Sequence, residues 1–522
     1  MDYIIFVRGL FGRMKLIAQN PVIFTDMPDP DVIRVDNTYY MISTTMHFMP
    51  GGVILRSYNL KDWEICSHLY DKLEDYPAAR MEDGTIYGSG MWAGSLRYHN
   101  GRFYALHIAN DTHRSYLYTS ENAEGPWEQT SGSAFYYDPG LFFDDDGTPY
   151  VVHGNRHIKI TELEKDCLTA KEGGLNKEII CDDDSVRLGH EGSHLYKING
   201  KYYLFTIHWP AGGMRTECCF VADKLEGPWK GKEVLSHDMG YCGQGVAQGG
   251  LVDTPDGKWY GMLFQDRGAA GRMPILVDVN FENDFPVFGK NGCVSKEIEV
   301  FDLNPNYKYA SLSDCDSFSY DEGNPVLKKV WEWNHIPDNK NWKIRGGNLV
   351  ITNQKGGLNP VNVQNVLTQR LVGFKPRAVT FIDGSLLEEG DVAGLCAFQS
   401  NYVFGGITKE NGKYYFVGGK KPLKDGKPEY SRNDTTAPEI FEKIELSGSK
   451  VQIKLNFDFT DMKDLVTVQY REKNDDEWKL AGKPFKLYFQ LDHFTGTRAG
   501  LFVYGNKNGG DAVFEEFFNT EI

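Results

Sequence analysis

The chain has 522 residues, too many for one core and enough for two or three domains, and its net charge is −16. That charge, with no clustered run of Lys and Arg, argues against a nucleic-acid partner and for an uncharged one. A charged fraction of 25% is ordinary for a globular chain and disorder is not expected, while 13% aromatics and 56 glycines favour many short strands and turns over extended helices.

At the N-terminus, Ile4 to Val7 is apolar, but Arg8 and Arg13 interrupt it and no small-residue cleavage site follows. No secretory signal is expected, and no segment is long enough to span a membrane. Met14 is a candidate start, with residues 1–13 as an extension, because the regular pattern begins near Asn20. Nine cysteines, among them Cys218 and Cys219, form neither a CxxC spacing nor an even set, which fits a reducing, cytoplasmic compartment.

From there one pattern recurs: a tight polar turn, an aromatic, then an apolar run. The turns Asp36-Asn37-Thr38, Asn100-Gly101-Arg102, Asp146-Gly147-Thr148, Asn199-Gly200-Lys201 and Asp256-Gly257-Lys258 precede Tyr40, Tyr104, Tyr150, Tyr203 and Tyr260. Spacings of 64, 46, 53 and 57 residues between these tyrosines fit one four-stranded blade per unit, so the chain is expected to be all-β and to begin with a five-bladed β-propeller. Outer turns ending in Trp63, Trp127 and Trp229 are expected to fill gaps between blades. The pattern fades after Phe288-Gly289. Residues 14–305 therefore read as the propeller, 306–325 as a polar linker, and 326–522, with short alternating strands, as a β-sandwich.

Counting back eleven or twelve residues from each tyrosine lands on Asp29, Trp92, Asp138, Glu191 and Gln248. Equivalent positions in a propeller lie on one ring, so the three acids must face one central funnel. Any one alone could simply satisfy a turn amide. Three like charges at one phase raise each other's proton affinity and cost stability unless used, and paired carboxyls are what glycoside hydrolysis needs.

The strings Asn20-Pro21-Val22-Ile23, Pro28-Asp29-Pro30-Asp31, Trp92-Ala93, Asp138-Pro139-Gly140-Leu141-Phe142 and Glu191-Gly192-Ser193-His194 resemble glycoside hydrolase family 43. The resemblance implies a propeller followed by a concanavalin-like β-sandwich (jelly roll), for which Phe494 to Phe502 looks like a late strand. It implies inverting hydrolysis, with Asp29 as general base, Glu191 as general acid and Asp138 as modulator of the acid. Asp29 and Glu191 would then stand roughly 6.5 to 9.5 Å apart to admit a water. The relatives with a sandwich imply exo action on a terminal xylose or arabinofuranose of xylo- or arabino-oligosaccharides, with no cofactor required for the chemistry.

Arg272 matches a family arginine that contacts the sugar, and it can also pair with Asp138. Trp92 can form an apolar wall or belong to the core, and His47, Phe48, His208 and Trp209 fall in loops that can shape the pocket rim. Many relatives carry a histidine where this chain has Gln248. Its amide can ligate a structural calcium or hold a trapped water. Gly94 replaces a usual proline after Trp92-Ala93. Two rivals remain: a non-catalytic sugar-binding propeller, and a retaining fructosidase-like hydrolase whose Asn-Asp-Pro-Asn-Gly and Glu-Cys-Pro strings are missing. The oligomeric state is not indicated.

Overall fold

The computed structural model describes residues 14–183, 186–354, 356–505 and 509–521; the expected extension over residues 1–13 lies outside the described residues. Five antiparallel four-stranded sheets follow one another in chain order. Their innermost strands are Asp31–Val35, Met91–His99, Gly140–Phe143, Leu188–Ile198 and Ala247–Asp253. The repeated tyrosines lie on the second strand of each blade, where three of them explain their own recurrence by reaching across to the next blade. Tyr40 meets Phe103 at 5.2 Å, Tyr104 meets Phe143 at 5.0 Å, and Tyr203 meets Phe281 at 5.3 Å. Each such ring, where buried, contributes about 2 kcal/mol. Trp127 of blade 2 likewise donates to Ser67 Oγ of blade 1 at 3.2 Å.

No strand is shared between the first and last blades. The ring closes instead by direct contacts, such as Gly250 N–H to Pro30 C=O at 3.1 Å and the Arg34–Asp253 ion pair at 2.5 Å. A separate ribbon, Met14–Gln19 against Glu297–Asp302, ties the two ends of the propeller together. The periodic pattern gives no sign of this ribbon, because its partners are almost the whole propeller apart in sequence.

Beyond it the chain forms two seven-stranded antiparallel sheets packed as a sandwich. The stretch between the two halves is held against blade 1: Tyr309 Oη accepts Tyr58 N–H at 2.8 Å, and Tyr307 bonds both Arg56 and Glu64. One apolar core runs from blades 1 and 5 into the sandwich, including Met27, Val32, Met273, Trp333, Leu367 and Leu501. Three single 3₁₀ turns are the only helices among the described residues, and no helix is long and apolar enough to cross a membrane.

Candidate active site

The first strands of blades 1, 3 and 4 carry the three acids: Asp29 and Asp138 just before their strands begin, and Glu191 within its strand at a break in register. Asp29 and Asp138 have φ of 53° and 46°, and Glu191 is followed by Gly192 at 65°. This left-handed backbone is rare outside glycine and clusters at functional sites. Gly140 lets the entrances of blades 3 and 4 approach, since a Cβ there would stand 2.3 Å from the Ser193 carbonyl oxygen.

Each acid has its own partners. Asp29, buried, accepts Thr44 Oγ1–H at 2.8 Å and forms an ion pair with Arg272 at 3.1 Å. Asp138, also buried, accepts Gly192 N–H at 3.1 Å. Glu191 is half-buried, and its Oε2 accepts from the Asn155 amide and, at a long 3.4 Å, from the Tyr137 hydroxyl. Burial, then the charges of Glu191 and Asp29, raise the Asp138 carboxyl well above the usual carboxylate range. Burial and the charge of Asp29 likewise raise Glu191, although the Asn155 hydrogen bond and the nearby Arg215 pull the other way. The three acids therefore share one electrostatic environment. Tyr137, half-buried beside them, has its phenol pushed far up, chiefly by desolvation and then by the charges of Asp138 and Glu191, and stays a neutral donor.

Arg272 pairs with Asp29 and not with Asp138, contrary to the sequence expectation. It starts the strand Arg272–Glu282, whose backbone is locked to the Asp29 segment: Met27 N–H donates to Arg272 C=O at 2.9 Å and Arg272 N–H to Asp26 Oδ1 at 2.7 Å. The guanidinium also lies over Phe494, 4.5 Å from the ring centroid. Phe494 comes from the sandwich and meets Trp92 at 5.3 Å, and Trp92 faces Tyr137 at 6.2 Å. Trp92, Tyr137 and Phe494 thus form an aromatic wall beside the acids. The Trp92 indole N–H is buried without a protein partner.

The expected rim residues divide. His47 and Phe48 are fully buried, because the sandwich covers their loop: His47 packs on Tyr87, His335 and His493 at ring distances of 4.7, 5.3 and 5.7 Å. They belong to the seam between the two halves and form no rim. His208 stacks on His190 at 4.8 Å and bonds Glu233 at 3.0 Å. Trp209 is half-buried between Arg187 at 4.0 Å and Arg215 at 5.9 Å, and Arg215 connects it to the surroundings of Glu191.

Asn155, Tyr137, Arg215 and Phe494 were not among the expected site residues. Tyr137 was legible as the neighbour of Asp138, whereas Phe494 and Asn155 carry no local signal of their role.

Gln248 completes the ring, with φ of 65° and its backbone N–H donated to the buried Glu217 at 2.7 Å. Calcium takes six to eight oxygen ligands. Of the carboxylates nearby, Asp29 is matched by Arg272 and Asp31 by Arg97 at 2.6 Å with His194 at 3.2 Å, whereas the buried Glu217 accepts the Gln248 N–H. Among the described residues, His190, His208 and Cys218 bring donor atoms within 4.8 Å of one another, as do the exposed His157, Glu178 and Cys181. In the first group both imidazoles already have oxygen partners, Thr206 at 2.8 Å and Glu233 at 3.0 Å.

Comparison with known proteins agrees with this geometry. The profile of Glycosyl hydrolases family 43 matches residues 18–286, and that of the Beta xylosidase C-terminal Concanavalin A-like domain matches residues 316–518. The chain is 26% identical to a beta-xylosidase of Formosa agariphila, over 96% of this chain and 90% of the relative. It is 30% identical to a putative beta-xylosidase of Xylanibacter ruminicola, over 76% and 74% respectively. The solved structure of a bifunctional GH43-CE protein of Bacteroides eggerthii superposes with a TM-score of 0.88 at 38% identity over 98% of this chain, which spans 64% of that protein.

Proposed function

Since the chain belongs to glycosyl hydrolases family 43 and is a glycoside hydrolase, we propose that its funnel removes terminal pentose units, β-D-xylose or α-L-arabinofuranose, from xylo- or arabino-oligosaccharides. The observation that carries this reading is the meeting of three carboxyls from blades 1, 3 and 4 beside one arginine and an aromatic wall.

Glu191 is the general acid. Its raised proton affinity keeps the proton available at a pH where a free glutamic acid has lost it. Asp29, oriented by Thr44 and Arg272, is the general base that takes a proton from water as the water oxygen attacks the anomeric carbon. The glycosidic C–O bond breaks with its electron pair on the leaving oxygen, which receives the Glu191 proton. Attack from the face opposite the leaving group inverts configuration. Asp138, held toward its neutral form, keeps a further full charge away from the acid and positions the strand entrance through Gly192.

Phe494 supports exo action, because a sandwich side chain against Arg272 and Trp92 stands across one side of the funnel. The relatives named as beta-xylosidases favour xylose over arabinofuranose. No step requires a metal. Nine free cysteines, five of them buried, support a reducing, cytoplasmic compartment.

The test is hydrolysis of 4-nitrophenyl β-D-xylopyranoside and 4-nitrophenyl α-L-arabinofuranoside by the parent and by Glu191→Gln, with proton NMR of the first product. Hydrolysis with inversion, reduced in the variant, is expected. Equal rates would remove Glu191 as the acid, and a retained anomer would remove Asp29 as a water-activating base.

A further inference from the structure

Glu191 has a partner that stands outside the set of carboxyls. Asn155 lies in the turn between Pro149–His153 and His157–Glu162 of blade 3, and its amide Nδ2–H donates to Glu191 Oε2. It is the single side-chain hydrogen bond of Asn155 among the described residues, and the side chain is otherwise exposed. The turn that carries it is pinned on both sides of the chemistry. Gly154 N–H donates to the carbonyl of Tyr137, the residue before Asp138, at 2.8 Å, and Arg156 N–H donates to the carbonyl of His190, the residue before Glu191, also at 2.8 Å. The Arg156 guanidinium bonds the carbonyls of Asp183 at 2.9 Å and Val186 at 3.2 Å, in the segment that leads into the Glu191 strand. Gly154 has φ of 125°, and a Cβ there would stand 2.1 Å from the His157 carbonyl oxygen, so the turn holds this shape only with glycine. The result is a short bridge between two acid-bearing strand entrances, with an amide donor at its centre.

A protonated carboxyl has one hydroxyl oxygen and one carbonyl oxygen, and only the second has no proton of its own to place. Oε2 of Glu191 already receives the Asn155 amide proton and faces the Tyr137 hydroxyl. We infer that Asn155 is a positioning residue for the general acid: by occupying Oε2 it fixes the transferable proton on Oε1 and turns that oxygen toward the leaving group. As the Oε1–H bond breaks and the proton joins the glycosidic oxygen, the carboxylate that forms is a stronger acceptor, so the amide bond tightens along the reaction. The inference rests on the assignment of Glu191 as acid.

The experiment compares the full chain with Asn155→Ala, Asn155→Asp and Glu191→Gln on phenyl, 4-nitrophenyl and 2,4-dinitrophenyl glycosides of whichever pentose the parent hydrolyses. Phenols leave more readily along this series and depend progressively less on an acid. Asn155→Ala is expected to lose roughly 10- to 100-fold in kcat/KM on the phenyl glycoside and almost nothing on the dinitrophenyl one, a fraction of what a general acid supplies. Asn155→Asp, which preserves the shape and removes the donor, is expected to show the same graded loss or a steeper one. A loss equal across the three substrates, or no loss, while Glu191→Gln is graded, overturns the positioning role. If Glu191→Gln itself is not graded, the acid assignment fails instead. The two failures are therefore distinguishable.

Discussion

The molecule buries two clusters of carboxyl and guanidinium groups, and their charges are balanced in opposite ways. In the seam between propeller and sandwich, the fully buried Glu332 receives Arg370 on one oxygen and Arg498 on the other, the latter at 2.5 Å, with His68 at 3.4 Å. Burial alone would raise this carboxyl, but the two guanidinium groups hold it far below the usual range. In the funnel, Asp29, Asp138 and Glu191 share one directly paired guanidinium, Arg272, and both Asp138 and Glu191 are raised. Acids matched by cations fasten a fold together. Acids that outnumber their cations hold protons that can be moved, which is the condition for acid–base work.

That contrast breaks first at Asp29. Asp29→Asn removes the proposed base while leaving its shape, so kcat should fall by about 10³- to 10⁴-fold with far-ultraviolet circular dichroism unchanged. Glu332→Ala should do the reverse. It strands two buried guanidinium groups, and urea unfolding should report a loss of about 3 to 5 kcal/mol, with kcat of the folded fraction changed by far less than tenfold.

Glu217 sharpens the comparison, since it is a buried carboxyl that accepts the Gln248 N–H and that burial pushes up to about 8. Its folded pKa lies above the ordinary 4.5, so its contribution to stability is full below pH 4.5 and is lost as pH rises through 8. Glu217→Gln keeps the acceptor and has no proton to lose. Unfolding at pH 4 and pH 7 should show little difference from the parent at the first and a gain of roughly 3 kcal/mol at the second. No gain at pH 7 would mean that excess negative charge in this part of blade 4 is relieved by a group other than the carboxyl's own proton.

The repeats were legible because the tyrosine recurs on the second strand of every blade, and in three blades it fills the gap to the next. Asp29, Asp138 and Glu191 were legible as members of the same phase. What the chain did not disclose depends on contacts between distant segments. Arg272 was read as a sugar contact that could also pair with Asp138, but the hydrogen bond from Met27 N–H to its carbonyl places it on the Asp29 side. His47 and Phe48 looked like rim residues because nothing in their loop announces that His335 and His493 will cover it. Phe494 sits in a sandwich segment whose pattern speaks only of a strand to come, and its part in the funnel follows from docking.

Asp26 joins the two halves at a single carboxylate: Oδ1 accepts the Arg272 N–H and Oδ2 the Gly496 N–H, each at 2.7 Å. The strand that presents Arg272 is therefore tied through one side chain to the loop that delivers Phe494. Swapping the C-terminal module between homologues would misalign the sugar pocket unless that loop travelled with its own propeller, so recombination within this architecture must treat the pair as one unit of inheritance.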